Sequence, residues 1–248
     1  MKTVEECLLE RRSVRRYERR NIEPEKLDFI YESIRHIATS YNGQQYSVIA
    51  VTDSQMKEEL YEITGQKQIK TCALFLVFCV DYNKIKTAAE RKGLDFPAFT
   101  DTLDGLMVGL IDASMAMQTA AVAAEAQGLG CCSVGYTRTA DPARIAELLR
   151  LPQGVFVVCG LTVGYPSELP DMKPKQPRSL IIHENHYQME HLSDELLDYD
   201  QEVSCYNGCR AGMPTSNDWI THIVDYYRAA MEYEQLAYVR EQGFKLKK

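Results

Sequence analysis

The densest concentration of charge in the sequence is Arg11-Arg12-Ser13-Val14-Arg15-Arg16, extended by Arg19 and Arg20. Six of the 28 basic residues fall within ten positions, and the only acid among them is Glu18. A solvated basic face is normally interleaved with acids, so this stretch points to an anionic partner. Arginine offers a planar fork of N–H donors that matches a phosphate, and the Ser13 hydroxyl adds another donor. The plainer alternative is a solvated helix end or basic tail. A nucleic-acid patch is less favoured, because the arginines lack the regular aromatic interleaving that stacks bases.

Lys173-Pro174-Lys175 presents two further cations from a stiff segment with little chain entropy left to lose on binding. Taken alone, such lysines are solvated, and their weight comes from the arginine cluster. Ser40-Tyr41-Asn42-Gly43-Gln44-Gln45 carries amides and hydroxyls suited to the rim of a polar heterocycle, although Asn42-Gly43 also reads simply as a turn. Gly128-Leu129-Gly130 is not a dinucleotide fingerprint, because its glycines follow a helix and precede a strand. A helix cap explains Gly128, and Gly135 leaves room for backbone to approach a flat ligand. His183/His186 and Cys205/Cys209 lack the spacings of a zinc site, so no metal is expected. No nucleophile elbow or phosphate-binding P-loop is present, and no side chain is assigned as catalytic.

These groups need a scaffold, and the hydrophobic pattern supplies one. Val4, Cys7 and Leu8 mark a short helix before the arginines, and Leu27, Ile30, Tyr31, Ile34 and Ile37 recur at helical spacing after Pro24. Tyr46 to Thr52 and Ala73 to Val80 read as strands, with a short helix opening at Asp53-Ser54 between them. Asp104 to Gln127 predicts a helix apolar nearly all round, broken mainly by Asp112, Gln118 and Glu125, and so buried on several sides. Strand (Cys131 to Tyr136), helix (Pro142 to Leu149) and strand (Val155 to Gly164) follow. The prolines from Pro166 to Pro177 enforce an ordered loop. A polar stretch to Asp200, a Gly-bearing loop (Asn207 to Asn217) and a final helix from Asp218 to Gln242 complete the chain. Alternating strands and helices predict an α/β or α+β class.

The chain has 248 residues, a formal net charge of -7, 45% hydrophobic and 25% charged residues, which are globular proportions. An acidic surface argues against wrapping nucleic acid. The N-terminus is charged where a secretory signal would be apolar, and five of the eight Cys lie in apolar segments. A cytoplasmic protein without a disulfide framework is the expectation.

Taken in order, Arg11-Arg12-Ser13-x-Arg15, Ser40-x-Asn42-x-Gln44, Gln66, the strand end Phe78-Cys79-Val80-Asp81, Glu125-x-x-Gly128-Leu129-Gly130, Gly164-Tyr165-Pro166, Lys173-Pro174-Lys175 and His183-Glu184-Asn185-x-x-Tyr187 resemble the FMN-dependent nitroreductase family. The likeness is greatest to its NADPH-preferring, flavin-reductase-like branch, and it covers about residues 4 to 190. It implies an α+β fold with a central mixed β-sheet wrapped by helices, built as an intertwined homodimer. Residues 1–190 would form the FMN-binding core, and 191–248 a helical arm embracing the partner.

By resemblance, Arg11, Ser13, Lys173 and Lys175 hold the FMN phosphate with help from Arg12, and Arg15 faces the N1 and C2-carbonyl edge of the isoalloxazine. Ser40, Asn42, Gln44 and Gln66 line the ribityl chain and ring edge, and backbone at Val134-Gly135 faces N5. The implied activity is ping-pong reduction of nitroaromatics, quinones or free flavins by NAD(P)H, with hydride passing through flavin N5. The rival reading is a flavin- or nucleotide-binding carrier or sensor without turnover. Three departures stand out. Lys175 replaces a frequent Arg and gives up its bidentate fork. Tyr136 replaces a common second glycine. Arg210 is followed by Gly212-Met213-Pro214 where the branch carries several arginines, which leaves fewer cations for a 2′-phosphate.

Overall fold

The structure, a computed structural model, describes residues 2–210 and 214–247. In chain order its elements are α1 (Val4–Leu9), α2 (Pro24–Arg35), β1 (Tyr46–Val51), α3 (Ser54–Thr64), α4 (Lys67–Thr71), β2 (Leu74–Asp81), α5 (Asn83–Arg91) and α6 (Leu103–Ala126). They continue as β3 (Gly130–Val134), α7 (Pro142–Leu148), β4 (Val155–Gly164), α8 (Arg178–Ile181), α9 (Leu192–Cys209), α10 (Trp219–Ala230) and α11 (Gln235–Glu241). The chain forms two compact units, one of residues up to Leu169 together with those from Glu234, the other of Pro170–Tyr233. The contacts thus divide the chain at Leu169 and Tyr233 rather than near residue 190.

The first unit is built on a four-stranded sheet of order β1-β2-β4-β3. Every residue of β2 is buried, which is why it reads as an unbroken apolar run. All three ladders are antiparallel, and the parallel component of the expected mixed sheet is confined to a single bridge between Ser13 and Cys131. Helix α6 lies across one face through Ala113, Ala116, Ala120 and Ala124, whose small side chains let a helix approach a sheet closely. By length and composition α6 is apolar enough to cross a bilayer. Its buried alanines, and the partners that Asp112 and Glu125 find within the fold, make it a core helix. It is less enclosed than its sequence predicts: Leu103, Met107, Ile111 and Met115, one turn apart, are 41–56% exposed.

The other face packs on α3, α4 and α7 through Leu60, Ile69, Phe75 and Ile145. Short helices are closed by side-chain caps where the sequence supplies them: Thr3 and Glu6 form a reciprocal capping box on α1, and Asp53 and Asp141 cap α3 and α7. Within the second unit the polar stretch expected to lead into a loop is instead the 18-residue helix α9. The single final helix expected from Asp218 to Gln242 is interrupted, giving α10 and α11.

All eight cysteines are free, and six are buried. Burial pushes the thiols of Cys72, Cys79 and Cys131 up to about 12. Unfolding returns them toward the ordinary value of 9.0. Above that pH the unfolded chain has lost protons that the folded chain retains, so stability falls as pH rises from about 9 toward 12. Urea midpoints measured from pH 8 to 11 should drop steadily above pH 9, and Cys→Ser replacements at these three sites should flatten the drop.

Candidate functional site

The arginine segment is neither helix nor tail. Val14 donates its backbone N–H to the Cys131 carbonyl at 3.0 Å, and Glu18 donates to Tyr165 at 2.9 Å, so residues 13–18 run beside the start of β3 and then past the end of β4. Val14 and Tyr17 are the buried anchors. The Tyr17 hydroxyl donates to the Val14 carbonyl at 2.7 Å and lies 2.7 Å from the Thr162 hydroxyl. Burial drives its phenol far above the usual range, so it stays a neutral donor. Glu168 accepts the backbone N–H groups of Arg15 and Arg16 at 2.7 and 3.1 Å, and so fixes the backbone from which these side chains project. Neither Tyr17 nor Glu168 is distinguishable in the sequence; only the pairing of distant segments reveals them.

Two glycines make the approach possible. A Cβ on Gly130 would lie 2.7 Å from Val14 Cγ2, and one on Gly164 would lie 2.9 Å from Tyr17 Cδ1. Gly130→Ala should therefore push the arginine segment outward and destabilise the fold by about 1–3 kcal/mol, the usual cost of overpacking, as read from urea unfolding. An alanine tolerated without loss would show that the segment is not held tightly against β3.

Arg11, Arg12 and Ser13 are half-buried, whereas Arg15 is exposed and its guanidinium donates to the Ser13 carbonyl at 3.3 Å. Arg11 lies beside the Cys131 thiol and opposes the rise that burial causes there. Val134 ends β3 and is buried, its carbonyl accepting from the Thr137 hydroxyl at 2.8 Å. Gly135 opens a 3-10 turn, Gly135–Arg138, and the exposed Tyr136 belongs to this turn rather than to the strand expected to reach it. Arginine segment and Val134-Gly135 therefore share β3 as a common support.

Ser40, Asn42 and Gln44 lie in a turn with positive φ at Tyr41, Asn42 and Gln44, a costly conformation for three non-glycine residues. A carboxylate on α6 holds it: Asp112, 1% exposed, accepts the backbone N–H groups of Ser40 at 3.3 Å and Gln45 at 3.1 Å. The sequence marks Asp112 only as a polar break in an apolar helix. Gln66 stands at the head of α4 with its side-chain carbonyl engaged by Gln68 at 2.9 Å.

Lys173 and Lys175 belong to the second unit, where both are exposed on the proline-rich segment preceding α8. The Tyr199 hydroxyl of α9 donates to the Pro174 carbonyl between them at 3.4 Å. Arg210 ends α9, while Gly212 and Met213 lie outside the described residues. Among the described residues no three His, Cys, Asp or Glu side chains converge as a metal site would require.

Cations and a hydroxyl thus stand on a pinned backbone beside β3, a donor set that would suit an anion. The sequence profile of the Nitroreductase family matches residues 8–165, and that of the family's C-terminal domain matches 173–247. The chain belongs to the nitroreductase family. It is 34% identical over its full length, and the full length of that relative, to a Bacillus subtilis protein named FMN reductase [NAD(P)H]. It is 33% identical to a Pseudomonas protein named CR(VI) reductase, over 98% of this chain and 100% of the other. The solved structure of the hypothetical oxidoreductase YcnD from Bacillus subtilis superposes with a TM-score of 0.95 at 33% identity, covering all of both chains. The α+β scaffold here is accordingly that of a nitroreductase.

Proposed function

We propose that this nitroreductase-family chain is an FMN-dependent NAD(P)H oxidoreductase that reduces nitroaromatics, quinones or free flavins in two alternating half-reactions. The observation that carries the proposal is the arginine segment, held to β3 by Val14, to Thr162 of β4 by Tyr17 and by the Glu168 carboxylate, with Arg11, Arg12 and Ser13 half-buried beside it. That donor set suits a phosphate: guanidinium forks and a hydroxyl, presented from a backbone that needs no further ordering. The relatives' names, FMN reductase among them, support the choice of cofactor.

Arg11, Arg12 and Ser13 hold the phosphate, and Lys173 and Lys175 enter this assignment through the resemblance. When bound, FMN supplies the hydride-accepting and hydride-donating chemistry. Arg15 would set its cation toward the N1 edge of a bound flavin ring, where a positive charge would favour the reduced form. Ser40, Asn42, Gln44 and Gln66 would orient the ribityl chain and ring edge, and backbone at Val134-Gly135 would face N5. No side chain is assigned as a general acid or base, and the protein's part would be position and electrostatics.

We place the enzyme as a homodimer, since Leu103, Met107, Ile111 and Met115 leave an apolar stripe along α6 that a second copy would bury. A cytoplasmic setting fits eight unpaired cysteines. Steady-state rates with varied NADPH and a quinone or nitrofuran should give parallel double-reciprocal lines, as alternating half-reactions require. Flavin bound without any turnover would instead favour a carrier.

A further inference from the structure

A cleft of about 930 Å³ opens between residues 17–22 and the α3–α4 pair, and none of the residues assigned above to FMN line it. Its volume suits a nucleotide-sized ligand. Four cations line it, Arg19, Arg20, Lys57 and Lys70, against two acids, Glu18 and Glu58. This local excess of positive charge occurs in a chain whose net charge is -7.

Two of the cations are already committed. Lys70 pairs with Glu58 at 3.1 Å, and Arg20 pairs with Glu23 at 2.6 Å while stacking on the Tyr165 ring. Lys57 is different. It is only 7% exposed, and its ammonium donates one hydrogen bond, to the Cys72 carbonyl at 2.8 Å. Among the described residues no carboxylate forms an ion pair with it. A buried ammonium has three donors and a charge to satisfy, and a single neutral carbonyl meets little of that need. An anion entering the cleft would supply the missing counter-charge. Arg19 is exposed at the rim and, among the described residues, no carboxylate is paired to it, and Ile22, Leu27 and Leu74 give the cleft an apolar side on which a planar group can rest.

We infer that this cleft is a second anion site, separate from the flavin site, for a phosphorylated small molecule of nucleotide size, with Lys57 as its buried anchor and Arg19 as its outer contact. The ligand's phosphate takes the two free N–H groups of Lys57, and its body lies over the apolar side.

The test uses the flavin-loaded protein, so that the flavin phosphate site is already filled, titrated calorimetrically with ADP and with adenosine at fixed ionic strength. Saturable binding of ADP, at least tenfold tighter than adenosine and without release of flavin, is expected. Lys57→Met keeps the aliphatic stem and should weaken ADP binding at least tenfold. Arg19→Ala, an exposed change safe for folding, should weaken it severalfold, and Lys86→Met on α5 should leave it unchanged. No saturable ADP binding, adenosine binding as tightly as ADP, displacement of flavin by ADP, or ADP binding indifferent to Arg19→Ala and Lys57→Met would each overturn the inference. If Lys57→Met does not fold, the Arg19→Ala comparison and the ADP-to-adenosine ratio decide the matter.

Discussion

Arg11→Ala is expected to lose FMN and activity together. Arg11 is half-buried beside Cys131 on a segment whose backbone is already bonded to β3, so its guanidinium meets a phosphate with little ordering left to do. Charge-assisted hydrogen bonds contribute about 1.5–3 kcal/mol each, so FMN should bind about 10- to 100-fold more weakly, as followed by quenching of flavin fluorescence on titration into apoprotein. Excess FMN should restore much of the turnover, because the proposed role of Arg11 is at the phosphate, away from the reacting ring. Arg11→Lys should fall between, keeping the charge without the fork. An unchanged FMN affinity in Arg11→Ala would remove the arginine segment from the site.

Asp112→Ala should be the most damaging single change away from the proposed flavin contacts. The Asp112 carboxylate accepts two backbone N–H groups, from Ser40 and Gln45, and so holds a turn that contains three residues at positive φ. Removing it leaves two donors without partners near the core and releases a strained turn, a loss of about 2–4 kcal/mol in urea unfolding. Because Ser40, Asn42 and Gln44 lie on that turn, FMN affinity and kcat/KM should fall in the same variant. Asp112→Asn, which keeps one acceptor oxygen, should cost about half as much stability. Wild-type stability and affinity in Asp112→Ala would mean that the turn holds itself.

The strands and most helices are legible in the sequence because their signals are local: β2 is a continuous apolar run, and Pro24, Pro142 and Asp53 mark the helix starts. What escapes is what depends on pairing between distant segments. The arginine cluster stands out in the sequence by its charge, yet its conformation is set by Cys131, Tyr165 and Glu168, more than 100 residues away. Tyr136 has a strand-like side chain, but the turn that opens at Gly135 takes it out of β3. Helix α9 was masked by its acidic composition and by Gly208 near its end, since neither gives a strong apolar stripe. Lys57 reads as an ordinary helix lysine, and only the fold shows it buried against Cys72.

The most direct test of the proposed function is the visible absorbance spectrum of the purified, FMN-reconstituted protein before and after NADH or NADPH is added without oxygen. A yellow protein that bleaches within the mixing time with at least one nicotinamide, and regains its colour on adding a quinone, is the expected result. A protein that stays colourless after FMN is supplied, or that holds flavin and is not bleached by either nucleotide, would contradict the assignment.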